Sequence, residues 1–282
     1  MVKISEMCFS YRKKEPLFLD FSLELTAGNI YGLLGKNGAG KTSLLKLISG
    51  LLFPLKGTCL LDNRKTLERK PNVLQEIIFL PENSYLPPLK ISEYLEIYSP
   101  FYNRFDKEKF IRFLSELEIE SGNKISSLSY GQKKKLALAF SLAANTKVLL
   151  LDEPTNGLDI PAKIVFRKLV AESIDENKIF LISTHQVRDM KHLIDPILIL
   201  DKGKIIFNRT IQEIEQKLSL SLQKDLPEGE NVIHYESTLG GYASLNINND
   251  EIESEVDIEL LFNAVTTNQK KINSLFTAEV EL

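Results

Sequence analysis

Eight consecutive residues, Gly35-Lys36-Asn37-Gly38-Ala39-Gly40-Lys41-Thr42, constrain this chain more than any other stretch. An apolar run from Ile30 to Leu34 precedes them, and Leu44, Leu45, Leu47 and Ile48 follow on one helix face. Strand, glycine-rich turn and helix in this order satisfy the G-x-x-x-x-G-K-[ST] pattern of a phosphate-binding loop. Glycines allow backbone N–H groups to turn inward around an anion, and the following helix aims its positive end at the same point. Lys41 can then reach terminal phosphates, and the Thr42 hydroxyl can ligate Mg²⁺. The plainer reading is a glycine turn that caps an ordinary helix. Background composition would produce the full pattern in a chain this long on the order of 1% of the time. The stretch therefore predicts a nucleoside triphosphate site.

At 282 residues the chain can form one large α/β domain and a small appendage. A formal net charge of −3 argues against a general nucleic-acid binder. The two cysteines, Cys8 and Cys59, lack metal-ligand spacing and are too few for a disulfide framework, which fits a reducing compartment. The first residues carry no apolar signal core, and no apolar run approaches the ~18 residues that span a bilayer. A membrane role would need another chain to do the spanning.

Val2 to Phe9 and Phe18 to Leu25 alternate apolar and polar residues and read as paired strands, with Tyr11 in the turn between them. An aromatic there either packs on the hairpin or stacks on a base. Gly57 to Leu61 and Ile77 to Leu80 are further strands, and the prolines at 81, 87 and 88 keep the next stretch out of a helix. From Ile91 the pattern turns helical. Tyr85, Tyr94, Tyr98, Phe101, Tyr102 and Phe105 read as a small helical core, with partner-contact anchors as the alternative. Leu128-Ser129-Tyr130-Gly131-Gln132 precedes a helix expected over 133–144 and exposes a hydroxyl and amides at its N-terminus. Lys133, Lys134 and Lys135 add positive charge there and otherwise read as a solvated face.

Val148 to Leu151 is the continuous apolar run of a strand buried on both faces, and it ends in Asp152-Glu153. Carboxylates at that edge lie where open α/β sheets place ligands, one able to hold Mg²⁺ and the next to accept a proton from water. Asn156 to Asp159 is a turn. A helix through Phe166, Leu169 and Val170 leads to a strand over Ile179 to Ile182, closed by Ser183-Thr184-His185, and a hairpin follows around Asp201-Lys202-Gly203.

With these pieces in this order, residues 1–217 resemble the nucleotide-binding subunit of an exporter-type ATP-binding cassette (ABC) transporter. The matching motifs are the Walker A loop at 35–42, a loop near Glu82, the signature LSYGQ at 128–132, Walker B ending at Asp152-Glu153, the D-loop at 156–159 and the switch His185. The resemblance implies an α/β P-loop NTPase core, an N-terminal antiparallel β subdomain, a helical signature subdomain over about 83–145, and a small C-terminal α+β tail over 218–282. It implies that Gly35, Asn37, Gly38, Ala39, Gly40, Lys41, Thr42 and Ser43 hold ATP, with Tyr11 stacked on adenine. Thr42, Asp152 and Glu82 would organise Mg²⁺, Glu153 would act as general base, and His185 would contact the γ-phosphate. Two such chains pack head to tail in this family. Ser129, Gly131 and Gln132 would therefore face the partner's nucleotide, and Asp159 would signal across the dimer.

The resemblance also implies a transmembrane permease subunit docked on about 82–121, a homodimer or a pairing with a second ATPase subunit, no nucleic acid, and a peripheral position on the cytoplasmic membrane face. The alternative is a soluble ABC ATPase in cofactor assembly or in nucleic-acid- or ribosome-linked work, though the second P-loop of tandem-cassette translation factors and the long heptad arms of chromosome-maintenance relatives are not seen. Two departures stand out. Glu82 occupies the usual glutamine position; an ionised glutamate is acceptor-only and repels Glu153. Tyr130 replaces the first glycine of LSGGQ, so its side chain must point away from phosphate. The tail beyond Leu218 reads as short strands and an amphipathic helix from Ile258. It is expected to be a structural add-on, with a dimer contact or a regulatory role as alternatives and a poorly ordered end.

Overall fold

The computed structural model describes residues 1–12, 15–190, 192–248, 255 and 257–277. Two antiparallel strands open the chain, β1 (Val2–Phe9) and β2 (Phe18–Leu25). With β4 (Lys56–Leu61) and β5 (Arg64–Lys65) they form a sheet in the order β2-β1-β4-β5. Register shifts in β1 and β2 coincide with Glu6 and Asp20 at positive φ, so the buried face passes from Val2 and Ile4 to Met7 and Phe9. Such bulges bend and twist a strand. Here they wrap the sheet over the helix α1 (Lys41–Ile48), whose Leu44, Leu45, Leu47 and Ile48 are fully buried in the same core. Each of those side chains contributes about 1.5–3 kcal/mol by leaving water.

The second sheet contains β3 (Asn29–Leu34), β6 (Ile77–Leu80), β7 (Val148–Asp152), β8 (Ile179–Thr184), β9 (Ile197–Asp201) and β10 (Lys204–Arg209), in the order β10-β9-β3-β8-β7-β6. All neighbours run parallel except β9 and β10. Its parallel strands are largely apolar because both faces are covered, whereas the edge strand β10 carries exposed Lys204 and Asn208. Val148, Leu150, Ile179 and Leu181 face the core under the antiparallel sheet, whereas Leu149, Leu151, Phe180 and Ile182 face the helices on the other side. Gly32 leaves room on that second face for Ile194, whose Cδ1 would stand 2.4 Å from an added Cβ. Strand β8 separates β3 from β7, so the glycine turn and the acidic pair leave the sheet edge on either side of it.

The helices of the second face are α3 (Ile91–Tyr98), α4 (Lys107–Glu116), α5 (Tyr130–Ala143) and α6 (Ile160–Ser173). Helix α2 (Pro71–Leu74) is a single turn before β6. Phe140 of α5 anchors the aromatic cluster, with ring centroids 4.9 Å from Phe105, 5.0 Å from Tyr94 and 6.0 Å from Phe110. Tyr85 and Phe101 are the exceptions to the expected core, at 88% and 66% exposure. Helix α5 begins at Tyr130, three residues before the expected start, because Ser129 and Gln132 form a reciprocal capping box.

Helix α7 (Ile211–Lys217) runs directly into β11 (Leu218–Gln223), which joins β12 (Val232–Thr238) and β13 (Gly241–Ile247) in the order β11-β13-β12. Helix α8 (Ile258–Thr267) lies against β12, β13 and the one-turn helix Val187–Met190. Helix α9 (Gln269–Thr277) reaches β10, where Phe276 meets Phe207 at 5.6 Å and the Arg209 guanidinium stands over the Phe276 ring at 5.2 Å. The residues expected to form a poorly ordered end, 278–282, lie outside the described residues. Among the described residues no helix is long and apolar enough to cross a membrane.

Candidate functional site

The glycine turn needs its glycines at identifiable points. Gly38 and Gly40 have φ of +82° and +111°, and a Cβ on Gly35 would meet the Leu200 carbonyl at 2.6 Å. Gly40 is also the residue before α1, so the first free amides of that helix open into the turn. Tyr11, Asn37, Gly38, Gly40, Lys41, Thr42, Ser43, Glu82, Asp152 and Glu153 all line one cleft of about 360 Å³. Gly35 and Ala39 do not line it: Gly35 takes part through its carbonyl, which accepts from Lys41, and Ala39 is buried in the turn. His185 joins through Glu153.

Within the cleft the side chains are already in contact. Lys41 is buried, donates to the Gly35 carbonyl at 2.6 Å, and stands 3.9 Å from the Glu153 carboxylate. Burial lowers its pKa, opposed by Glu153, Asp152 and Glu82. The Thr42 hydroxyl donates to Asp152 Oδ2 at 2.7 Å, and the Ser183 hydroxyl donates to Asp152 Oδ1 at 2.5 Å. The hydroxyl and carboxylate are hard oxygen donors. Among the described residues no group of three or more potential metal-ligating His, Cys, Asp or Glu side chains stands together. A hydroxyl beside a carboxylate, as in Thr42 and Asp152, suits Mg²⁺, which takes one or two protein oxygens and completes its shell with water and substrate phosphate.

Glu153 is 7% exposed and has φ +47°, in the left-handed region. Its amide donates to the Ser183 carbonyl at 3.1 Å. Its carboxylate is 2.8 Å from His185 Nδ1 and accepts from the His185 amide at 3.3 Å. Glu82 does not face Glu153 unscreened: it accepts from Asn156 Nδ2 at 2.8 Å, and Lys41 and Lys134 both lie within its field. Three carboxylates (Glu82, Asp152, Glu153) and two lysines (Lys36, Lys41) line the cleft, and Lys134 holds the main chain of Glu153.

Tyr11 stands at the mouth of the cleft, half-exposed, its ring edge-on to Phe9 at 5.0 Å and its hydroxyl 2.9 Å from Ser43 Oγ. Ser129, Gly131, Gln132 and Asp159 do not line the cleft. Ser129 Oγ accepts from the Gln132 amide at 3.2 Å, while Gln132 Oε1 accepts from the Ser129 amide at 2.9 Å. Asp159 caps α6 by accepting from the Ala162 amide at 2.8 Å. The Tyr130 side chain turns to Asn83, donating at 2.9 Å, with its ring against Gly157.

Sequence reasoning missed two residues. Ser183 is bonded to Asp152 because β7 and β8 pair these positions directly. Lys134, expected on a solvated face, is instead 6% exposed and holds the Glu153 and Asn156 carbonyls. Beside the cleft, a groove of about 350 Å³ runs along residues 78–86 and is walled by Tyr85, Tyr94, Tyr98, Phe101, Tyr102 and Phe140.

The ABC transporter family model matches residues 18–156. The ABC transporter ATP-binding protein YtrB of Bacillus subtilis (strain 168) is 31% identical over 212 residues, covering 73% of this chain and 72% of that protein. The SkfA peptide export ATP-binding protein SkfE of the same organism is 28% identical over 77% of this chain and 92% of its own length. The dimeric, ADP- and Pi-bound ATP-binding cassette MJ0796 superposes with a TM-score of 0.66 at 24% identity, over 74% of this chain and 98% of that one. With the cleft and the order of its motifs, the identity to YtrB leads to one conclusion: this chain belongs to the ABC transporter family, as one of its ATP-binding ATPase subunits.

Proposed function

We propose that this chain hydrolyses ATP at the cleft between 35–43 and Asp152-Glu153 to drive export through a separate transmembrane partner. The observation that carries the reading is the convergence of Lys41, Thr42, Asp152, Glu153 and His185 at one sheet edge, each in hydrogen-bonding or ion-pair distance of another. Lys41 would leave the Gly35 carbonyl to neutralise phosphate charge. Thr42 and Asp152 would hold Mg²⁺, with Glu82 nearby; the ion when bound would offset charge on the phosphate oxygens. Glu153 would take the proton of the attacking water, and His185 would orient that carboxylate and contact the γ-phosphate.

Ser129, Gly131, Gln132 and Asp159 would act across a head-to-tail dimer, since they lie at two helix N-termini and do not line their own cleft. The dimeric state of MJ0796 supports this arrangement by shared fold. Export is favoured by the name of the SkfE relative, a peptide export protein. The aromatic groove, with the exposed Tyr85 and Phe101, offers the anchors on which a membrane partner would seat at the cytoplasmic face. The tail from residue 218 would be an accessory unit packed on the ATPase core.

The test is Glu153→Gln. ATP binding is retained and phosphate release slows by about 10²–10⁴-fold, the scale of a lost general base. An ATP-bound dimer accumulates on gel filtration. Unchanged turnover would remove Glu153 from this role.

A further inference from the structure

Helix α5 grips the loop that carries Glu153, and none of the roles above uses that grip. Lys134 is buried, and its ammonium donates to the main-chain carbonyls of Glu153 and Asn156, both at 2.7 Å. The two carbonyls belong to one tight turn, in which the Asn156 amide also donates to the Glu153 carbonyl at 3.3 Å. Burying an ammonium is unfavourable, and an apolar side chain would fill the same space without that cost. Burial accordingly pulls the Lys134 pKa down, against the pull of Glu82, Glu153 and Asp152. Glu153 in turn holds φ +47°, which a residue with a Cβ keeps only when its surroundings impose it.

The grip has a second point one turn earlier. Tyr130 lies on the same helix face as Lys134, four residues apart. Its hydroxyl donates to Asn83 at 2.9 Å, and its ring covers Gly157, where an added Cβ would stand 2.8 Å from a ring carbon. Helix α5 therefore holds the loop at Glu153 and at Gly157. Further along the same helix, Ala137, Phe140 and Ser141 line the aromatic groove.

We propose that Lys134 is a positioning residue for Glu153: its two hydrogen bonds fix the glutamate backbone to α5, so that displacement of α5 at the aromatic groove is felt at the reacting carboxylate. The proposal rests on the reading of Glu153 as the base. It is tested on the full chain by steady-state ATP hydrolysis, equilibrium binding of a fluorescent ATP analogue, and amide hydrogen exchange over residues 153–158. For Lys134→Met, kcat falls on the order of 10²-fold, the scale of misplacing a reacting group by an ångström. KM and analogue binding stay within about twofold, and exchange over 153–158 accelerates. Lys134→Arg, which keeps donors for both carbonyls, recovers kcat to within about tenfold of the parent chain.

Unchanged kcat in Lys134→Met overturns the proposal, as does a loss of kcat with unchanged exchange over 153–158. Glu153→Gln separates the two possible failures. If that variant also turns over normally, the assignment of the base has failed; if it is slow while Lys134→Met is normal, only the grip has failed. Should Lys134→Met not fold, Lys134→Ala, which removes the donors without placing a longer apolar side chain there, is put through the same three measurements, and each outcome carries the same meaning.

Discussion

Asp152 is held from two sides, by Thr42 on Oδ2 and by Ser183 on Oδ1. Both hydroxyls donate to the carboxylate, and together they fix its rotation. Ser183→Ala removes one of the two and leaves the carboxylate free to rotate. The Mg²⁺ concentration for half-maximal ATP hydrolysis is expected to rise by about 10–100-fold, as for other lost ligand supports. A Mg²⁺ titration of the variant checks this, and an unchanged midpoint would show that Thr42 alone orients Asp152. Asp152, Glu153, Lys41, Thr42 and His185 are all legible from local motifs, because each sits at a strand end or turn whose chemistry is read within a few residues. Ser183 is not, since its role depends on the register of β7 against β8. Lys134 is not either, because a lysine in a basic run is read by its charge rather than by the face on which it falls.

Helix α1 begins from Gly40, which has no side-chain cap and sits at φ +111°. The helix therefore starts with its first amides unsatisfied and aimed into the cleft, at the expense of its own stability. Gly40→Ala forces a Cβ to 3.0 Å from the Phe18 ring and into a left-handed backbone. The expected loss is about 1–3 kcal/mol of folding stability, together with weakened nucleotide binding. Denaturant unfolding and nucleotide titration measure the two effects separately. Helix α5 is the contrasting case, with both partners of its cap supplied by its own sequence. The S-x-x-Q spacing of Ser129 and Gln132 is the available signal for its true start. Reading Tyr130 and Gly131 as loop overrides that signal. Helix α3 is placed by its apolar periodicity, and the strands β7 and β8 by short apolar runs, too short for a helix, that end in polar residues.

The two hydrophobic cores divide the whole molecule at the six-stranded sheet. One joins the antiparallel sheet and α1, while the other runs from the helical segment through α6 into the tail. Phe207, Ile214, Val187 and Met190 of the second core are shared with α8 and α9. Deleting residues 218–282 would expose that surface. The expected result is a melting temperature lower by several degrees, since each ~1 kcal/mol corresponds to about 2–4 °C in a domain of this size. Scanning calorimetry of the truncated chain checks it, and an unchanged transition would make the tail an independent unit. The packing of the tail on the core is not legible in the sequence, because strands of a small sheet show which faces are apolar and not what covers them.

With β8 standing between them, the phosphate turn and the acidic pair lie two strand spacings apart, about 10 Å. Backbone pairing sets that span, so the sheet behaves as a caliper whose jaws no side-chain substitution can widen. Only the reach of the arms can be trimmed. Glu153→Asp keeps the charge and retracts the carboxylate by roughly 1.5 Å, one carbon–carbon bond. Turnover should drop on the order of 10²-fold while nucleotide affinity is kept, and a parallel measurement with Glu153→Gln tells lost reach from lost basicity.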